Sequence, residues 1–112
     1  TEIRLHKDRR SLGVTFDDRV AFDYPAEFLR VLSPSAEVQG HGPSQKKIVS
    51  GRRHVKIEAV EPVGHYAVRI VFDDKHDSGI YSWAYLRELG DEKSSRMAAY
   101  LGRLTELGLK RE

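Results

Sequence analysis

Apolar and polar residues alternate along six short stretches of this chain, and a period of two predicts half-buried β-strands. The alternation is clearest where Leu12, Val14 and Phe16 share one face. Acidic pairs such as Asp17–Asp18, or Gly and Pro, separate the stretches and predict turns. The predicted strands cover residues 3–6, 12–16, 20–24, 55–59, 66–72 and 76–81, with a turn at 61–64.

A short helical pattern follows each group of three strands. After the first group, Pro25 suits the first turn of a helix, where its missing N–H costs nothing. After the second, Ser82 is a suitable N-cap and Gly90 a suitable end. The apolar faces of these helices comprise Phe28, Leu29 and Leu32 in the first, and Trp83, Leu86 and Leu89 in the second.

A final helix is predicted over residues 91–107, with Asp91 or Ser94 as its N-cap and Gly108 at its end. Its apolar residues recur with helical spacing and predict one packed face. They are Met97, Tyr100, Leu101, Leu104 and Leu107.

The two strand groups are copies of one another. The string Val14–Arg19 returns 56 positions later as Ile70–Lys75, and Phe28–Arg30 returns 57 positions later as Tyr85–Arg87. An internal repeat determines the architecture of a fold. The sequence therefore predicts an α+β fold, with antiparallel strands from two repeated β-β-β-α units plus a C-terminal helix. The repeats span residues 3–32 and 54–89, and Phe16, Phe72, Leu29 and Leu86 are expected to be buried in matching positions.

Composition narrows the class of protein. A length of 112 residues predicts a single domain, 1–112. The absence of cysteine excludes disulfides, thiolate metal sites and a cysteine nucleophile, and it fits a cytoplasmic location. No apolar run approaches the length of a membrane span, so no membrane association is expected. A formal net charge of +2 is too small to indicate a nucleic-acid partner by itself.

The segment 33–51 has no equivalent in the second copy. It is rich in Pro, Gly and Ser, which predicts a loop, and glycines flank His41. Loops longer than about a dozen residues are uncommon in compact domains and are often functional or disordered. The segment is therefore either a plain connector or the working part of the chain.

Three strings carry a family resemblance: Leu29–Gly42, Glu61–Val68 and Phe72–Trp83. Together they resemble the gamma-butyrobetaine hydroxylase-like N-terminal domain family over nearly the whole chain. That family includes small stand-alone bacterial proteins of unknown function. Related domains form the N-terminal part of carnitine-biosynthesis dioxygenases.

In those dioxygenases the domain resembles a zinc-binding module, with a Cys-Pro-Cys-x-x-Cys run and a later His as ligands. The resemblance aligns the three cysteine positions with Ser33, Ser35 and Val38, and the histidine with His76. Because serine is a poor zinc ligand and valine is none, we expect no family zinc site and no resident cofactor. The resemblance also implies that the segment from Ser33 to His41 lies near the turn that carries His76.

The catalytic iron and 2-oxoglutarate residues of the dioxygenases belong to a separate domain, which these 112 residues do not contain. The resemblance therefore implies a non-enzymatic interaction or adaptor domain. Other relatives are fused to Mrp-type iron–sulfur carrier ATPases. This implies iron–sulfur cluster handling as one setting and such a carrier as one protein partner. The expected partner-binding residues are Ser33, Ser35, Glu37, His41, His76 and Asp77.

Two other uses of these residues remain open. His41, His76 and Asp77 could bind zinc or another divalent metal through nitrogen and oxygen ligands, or His76 and Asp77 could simply brace a turn. Ser33 and Ser35, with His76 and Asp77, also provide the residue types of a nucleophilic triad. No nucleophile-elbow sequence accompanies them, which favours hydrogen bonding within a loop.

A basic run extends over residues 46–56 and includes Lys46, Lys47, Arg52, Arg53 and Lys56. Such a run could bind phosphates, and a nucleic-acid-binding domain is the remaining alternative. Its other interpretation is a solvated loop and exposed strand face. The run lacks interleaved aromatic residues, which argues against binding to single-stranded nucleic acid.

Overall fold

The structure of the chain is a computed structural model that describes residues 1–34 and 51–111. The first copy contains strands β1, β2 and β3 and helix α1, at Glu2–Leu5, Ser11–Thr15, Ala21–Pro25 and Ala26–Val31. The second contains β4, β5, β6 and α2, at Ile57–Val63, Ala67–Phe72, Gly79–Ser82 and Trp83–Asp91. Helix α3 follows at Lys93–Glu106.

Each copy forms its own three-stranded antiparallel sheet, ordered β1-β2-β3 and β4-β5-β6. In the first sheet Leu12 lies opposite Tyr24, and in the second Val68 lies opposite Tyr81. The inward residues of both sheets and of helices α1 and α2 meet in one hydrophobic cluster. Helix α3 adds a smaller cluster through Tyr100 and Leu104. The predicted α+β fold with two β-β-β-α units and a C-terminal helix is confirmed.

The hairpin turns of the two copies have the same backbone structure. Phe16 N donates to Val20 O at 2.8 Å, and Phe72 N donates to His76 O at 2.9 Å. Within each turn one residue adopts a left-handed conformation, Arg19 with φ 68° and its counterpart Lys75 with φ 71°. The repeated Asp-Asp pair therefore encodes the same turn twice.

Two buried tyrosines connect the copies reciprocally. Tyr24 Oη donates to the Leu86 carbonyl at 2.5 Å, and the equivalent Tyr81 Oη donates to the Leu29 carbonyl. Burial raises the pKa of Tyr24 to about 12 and raises that of Tyr81 further. Each hydroxyl thus satisfies a helix carbonyl of the other copy, so the two units are packed with approximate twofold symmetry.

Two ion pairs repeat this reciprocity. Arg30 Nε lies 2.8 Å from Asp74 Oδ2, and Arg87 Nη1 lies 3.0 Å from Asp18 Oδ2. The environments differ: the Arg30 and Asp74 side chains are 4% and 20% exposed, whereas those of Arg87 and Asp18 are 35% and 55% exposed. One ion pair is therefore largely enclosed at one end of the molecule, while its counterpart is solvated at the other.

The expectation that four repeat residues are buried was wrong for one of them. Leu29, Leu86 and Phe72 are fully buried, but Phe16 is only half-buried. The Arg87 guanidinium lies 5.3 Å from the centre of the Phe16 ring and covers it. The ring therefore contacts a cation as well as the core. A cation–π contact at an exposed site stabilises a protein by about 0.5–1 kcal/mol.

Several predicted boundaries were also wrong. Gly90 lies inside α2 and not at its end. A Cβ there would be 2.5 Å from the Phe22 ring, so packing against Phe22 requires a glycine at this position. Pro25 ends β3 and is the N-cap of α1, one residue before its first turn. Helix α3 begins at Lys93 after Glu92, whose side chain makes no capping hydrogen bond, so neither predicted cap is used.

The structure confirms some of the other local predictions and corrects others. The Ser82 side chain accepts the Tyr85 N–H at 3.1 Å, as an N-cap should. Gly108, with φ 66°, directly follows the Leu107 C-cap of α3 as predicted. The predicted turn at 61–64 was wrong for its first three residues, which belong to β4. Leu107, expected on the packed face of the final helix, is 48% exposed.

Within residues 1–34 and 51–111, no helix is both long enough and apolar enough to span a membrane.

Candidate functional site

A buried contact joins the end of α1 to the hairpin turn of the second copy. Ser33, just beyond α1, is 0% exposed, and His76 is 3% exposed. Their Oγ and Nε2 atoms lie 2.9 Å apart. Each side chain therefore satisfies a polar atom of the other in an environment where an unpaired polar group would cost about 1–3 kcal/mol. The contact confirms, for Ser33, the closeness to His76 that the family resemblance implied.

The Ser33 hydroxyl also borders Tyr81. Burial is the main cause of the raised pKa of Tyr81, and the Ser33 hydroxyl opposes it by hydrogen bonding. Gly79 leaves the space for this arrangement, because a Cβ there would lie 2.7 Å from Ser33 Oγ and 2.9 Å from the Tyr81 ring. A side chain at position 79 would displace one of these groups.

The carboxylate of Asp74 binds two arginines beside this contact. Its Oδ2 lies 2.8 Å from Arg30 Nε and 2.7 Å from Arg52 Nε. Its Oδ1 accepts the backbone N–H of His76 at 3.1 Å. Burial alone would raise the pKa of Asp74, but the hydrogen bonds from Arg30 and His76 and the charges of both arginines lower it overall. Asp74 is therefore a permanent anion at neutral pH.

These contacts place both flanks of one chain segment against the same turn. Ser33 precedes the segment 35–50 and contacts His76, while Arg52 follows it and contacts Asp74. We call Ser33, Arg52, Asp74 and His76 the clamp. The clamp therefore brings Ser33 and Arg52, which flank residues 35–50 in the sequence, against the same β5–β6 turn.

The opposite end of the molecule keeps the ion pair of Arg87 with Asp18 but replaces the buried serine–histidine contact with apolar packing. The residues there that correspond to Ser33, Gly79 and His76 are Gly90, Phe22 and Val20. The Phe22 ring packs directly on Gly90 and makes an edge-to-face contact with Phe16 at 6.2 Å. The same scaffold thus closes one end with apolar packing and the other with the clamp, so the clamp is not a requirement of the fold.

The structure brings together only some of the residues that the sequence singled out. Ser33 and His76 meet, whereas the Asp77 side chain is exposed, and its carbonyl accepts from Arg69 Nη1 at 3.3 Å. The remaining partner-binding candidates, Ser35, Glu37 and His41, lie outside the described residues, as do Val38 and the basic residues 46–47.

This geometry favours neither the metal-binding nor the nucleophilic-triad interpretation. Within residues 1–34 and 51–111, no group of three or more His, Cys, Asp and Glu side chains is placed to hold a metal ion. Ser33 does contact His76, but its hydroxyl is fully buried, and the carboxylate beside this pair is that of Asp74 rather than Asp77. Such a buried hydroxyl cannot be approached by a substrate in this conformation.

Sequence reasoning missed Arg30, Arg52 and Asp74 as members of the site. A signal was available, because Arg30 and Arg87 occupy equivalent repeat positions, as do Asp74 and Asp18. Charged residues retained in both copies at an interface between the copies are candidates for reciprocal ion pairs.

Comparisons with known proteins agree with this fold. The family model for gamma-butyrobetaine hydroxylase-like, N-terminal, matches residues 3–87. Two solution NMR structures, 45% and 43% identical to this chain, each have a TM-score of 0.85; the matches cover 100% of this chain and 88% and 83% of theirs. A crystal structure of a DUF971-family protein of unknown function from Acidithiobacillus ferrooxidans is 39% identical, with a TM-score of 0.67, over 80% of this chain and 90% of that one.

No curated protein sequence matches this chain significantly. The family match covers far more than half of the chain, and the solved structures share its fold over most or all of its length. The chain belongs to the gamma-butyrobetaine hydroxylase-like N-terminal domain family.

Proposed function

We propose that this chain is a non-enzymatic adaptor domain that binds a protein partner. Its contact surface comprises residues 33–42, together with the β5–β6 turn around His76 and Asp77. The observation that carries the proposal is the clamp, which attaches both flanks of the loop to one turn. Of the six partner-binding residues, Ser35, Glu37, His41 and Asp77 would contact the partner, while the buried Ser33 and His76 would position the surface.

The difference between the two ends of the molecule supports this assignment. Phe22 and Gly90 close one end by apolar packing, which is the simplest solution for a core. At the other end the buried charges of Arg30 and Asp74 cost desolvation free energy that their pairing offsets only with good geometry. Retaining this polar arrangement therefore suits a purpose other than stability. Fixing the base of a loop also lowers the entropy that the loop loses when it binds.

The family resemblance suggests the setting of this interaction. Some relatives are fused to Mrp-type iron–sulfur carriers, so an iron–sulfur carrier of that type is the partner we propose, in the cytoplasm. The domain would contribute binding surface and no resident cofactor. The dioxygenase chemistry of other relatives is not assigned to it.

Two single substitutions test the proposal. His41→Ala and Asp77→Ala should each weaken capture of the native partner by at least about fivefold, a coupling of roughly 1 kcal/mol. Both should leave the Tm nearly unchanged. The Asp77 side chain is exposed, and among residues 1–34 and 51–111 it makes no hydrogen bond or ion pair. Capture is measured by quantitative pull-down from the native cell, with circular dichroism for the Tm.

The matched control is the charge reversal Lys47→Glu with Arg53→Glu, which should affect capture less than either loop substitution. If the reversal abolishes capture and the loop substitutions do not, the working surface is the basic run, and the nucleic-acid or acidic-partner interpretation replaces this one.

A metal-binding module is the second candidate, with His41, His76 and Asp77 as ligands. One observation favours it: Ser33 and His76, which match two ligand positions of the zinc-binding relatives, are in contact. Because that contact already engages His76 Nε2, a metal would have to compete with Ser33 or use the other ring nitrogen. Elemental analysis of the purified protein distinguishes the two candidates.

A further inference from the structure

The residues at the end of the described chain lie against the segment that carries Arg52. We define the strap as residues 108–111, which follow helix α3. We propose that the strap is a positioning element of the clamp, with Arg111 and its partner Glu27 as the positioning residues. This inference rests on the proposed function, because it concerns how the same surface is held in place.

A buried carboxylate holds the end of the strap. Glu27, on α1, is 4% exposed and accepts hydrogen bonds from Arg111 Nε at 3.0 and 3.1 Å and from Arg111 Nη2 at 2.8 Å. A guanidinium that binds a carboxylate through two nitrogens is fixed in direction as well as in distance. Because an enclosed carboxylate needs a partner, this ion pair attaches the strap to α1.

Helix α3 brings the strap to this position. Its buried residues Tyr100 and Leu104 pack against the end of α1. After the helix, Gly108 adopts φ 66°, a left-handed conformation that glycine allows, and Leu109 N donates to the Leu104 carbonyl at 2.9 Å. The chain therefore turns at a defined point, and the ion pair holds the residues that follow.

The strap in turn fixes the backbone on both sides of Arg52. Gly51 N donates to the Lys110 carbonyl at 3.0 Å, and Arg53 N donates to the Arg111 carbonyl at 2.9 Å. Gly51 has φ 69°, so the chain turns in a left-handed conformation where it meets the strap. Arg52 lies between these two hydrogen bonds, and its backbone is therefore held at both neighbours.

A fixed Arg52 helps to hold the turn that carries His76 and Asp77. The Arg52 side chain is 34% exposed, and its Nε lies 2.7 Å from Asp74 Oδ2. A partly exposed ion pair contributes little when forming it costs conformational entropy, and an anchored backbone removes part of that cost. Asp74 also accepts the backbone N–H of His76 at 3.1 Å, so the ion pair acts directly on the turn before Asp77.

The second copy shows that the repeated fold does not need this ion pair. The repeat offset aligns Glu27 with Ala84, which is exposed in α2. Arg30 and Arg87, three residues later, are retained in both copies. At this helix position, the part of the chain that the structure describes therefore has a buried acid at the clamp end alone.

The test compares two arginine substitutions by amide hydrogen exchange, followed by NMR on the full chain. In Arg111→Gln the amides of Gly51 and Arg53 should exchange at least about tenfold faster, because their acceptors are released. The matched control Arg103→Gln removes the same charge from an exposed ion pair with Glu106 and should change both rates less than about twofold. The acceleration should exceed that of amides in β2 and β5, which distinguishes release of the strap from general destabilisation.

A second measurement links the strap to the proposed function. The probe is a purified Mrp-type iron–sulfur carrier, the partner proposed above, and its Kd is measured by isothermal titration calorimetry. Arg111→Gln should weaken the Kd at least about fivefold, and Arg103→Gln less than about twofold. Arg111→Lys keeps the charge but lacks the forked donors, so it should restore part of both the exchange protection and the Kd. If Arg111→Gln does not fold, Arg111→Lys replaces it and should show smaller changes in the same direction.

Three results would overturn the inference. Unchanged exchange at Gly51 and Arg53 in Arg111→Gln would mean that the strap does not hold this backbone. Equal acceleration in Arg103→Gln would mean a general effect of the lost charge. Faster exchange with an unchanged Kd in Arg111→Gln, while Asp77→Ala weakens the Kd, would separate the strap from the surface and leave the proposed function intact.

Failure of the proposed function would have a different signature. If His41→Ala and Asp77→Ala both leave the Kd unchanged, the proposed surface is wrong. The exchange rates at Gly51 and Arg53 then decide by themselves whether the strap positions the clamp.

Discussion

Ser33 Oγ and His76 Nε2 lie 2.9 Å apart in a buried contact between residues 43 positions apart in the sequence. The contact joins the end of one repeat to the hairpin turn of the other, at the point where the chain leaves the repeat pattern. The corresponding position at the opposite end holds Gly90 under the Phe22 ring. The two copies therefore share a scaffold and differ where a function can be placed.

Removing the imidazole should destabilise the fold. His76→Ala leaves the buried Ser33 hydroxyl without this partner and opens a cavity, so we expect a loss of about 1–3 kcal/mol in the free energy of unfolding. Urea denaturation followed by circular dichroism measures it. The neighbouring control Asp77→Ala, at an exposed side chain, should change it by no more than about 0.5 kcal/mol. Equal small effects for both would mean that the clamp contact contributes nothing to stability.

A methyl group at position 79 should lower the free energy of unfolding. The added Cβ of Gly79→Ala would lie 2.7 Å from Ser33 Oγ and 2.9 Å from the Tyr81 ring, and overpacking of this kind costs about 1–3 kcal/mol. Gly102→Ala is the matched control, because nothing lies within 4 Å of a Cβ there. Gly102 is within α3, so the control should gain up to about 1 kcal/mol from helix propensity. A stabilised Gly79→Ala variant would contradict the observed packing.

The stability of the fold should depend on Asp74 in acid. The pKa of Asp74 is lowered in the folded state, so its contribution is present above the unfolded-state pKa of about 3.9 and is lost as the pH falls through the folded value. In Asp74→Asn the urea midpoint should be lower at pH ~7 and should fall less than that of the unaltered chain between pH ~7 and pH ~3. An unchanged acid response would show that other carboxylates account for it.

We predict that the purified protein carries no stoichiometric zinc. Ser33, Ser35 and Val38 match the cysteine ligands of the zinc-binding relatives. The Ser33 hydroxyl already contacts His76 Nε2. Structural zinc sites use thiolate or imidazole ligands in a closed tetrahedral shell. Elemental analysis that finds one tightly held zinc per chain, lost in His76→Ala, would make the metal-binding module the leading interpretation.

The fold could be predicted from the sequence because the same strand and turn signals occur in both copies of the repeat. The alternation around Phe16 and Phe72 and the Asp-Asp turns are local signals, and local signals determine strands and hairpins. Gly90 was misjudged because a glycine after an apolar stripe normally ends a helix. Here its role depends on Phe22, which is distant in sequence and comes close only when the copies pack.

The candidate site was only partly predictable for the same reason. The family resemblance implied that Ser33 and His76 are near each other, and the structure has them in contact. The roles of Arg30 and Asp74 depend on how one repeat faces the other, which no local pattern in either repeat contains.

The central claim is that the clamp end, and not the equivalent opposite end, carries the partner-binding surface. The approximate twofold symmetry supplies a matched pair of isosteric variants, Asp74→Asn and Asp18→Asn. Quantitative capture of the native partner should fall at least about fivefold for Asp74→Asn, because Arg52 would lose its hold on the flank of the loop. Capture should remain at the level of the unaltered chain for Asp18→Asn. Equal capture by both variants, or a greater loss for Asp18→Asn, would contradict the account.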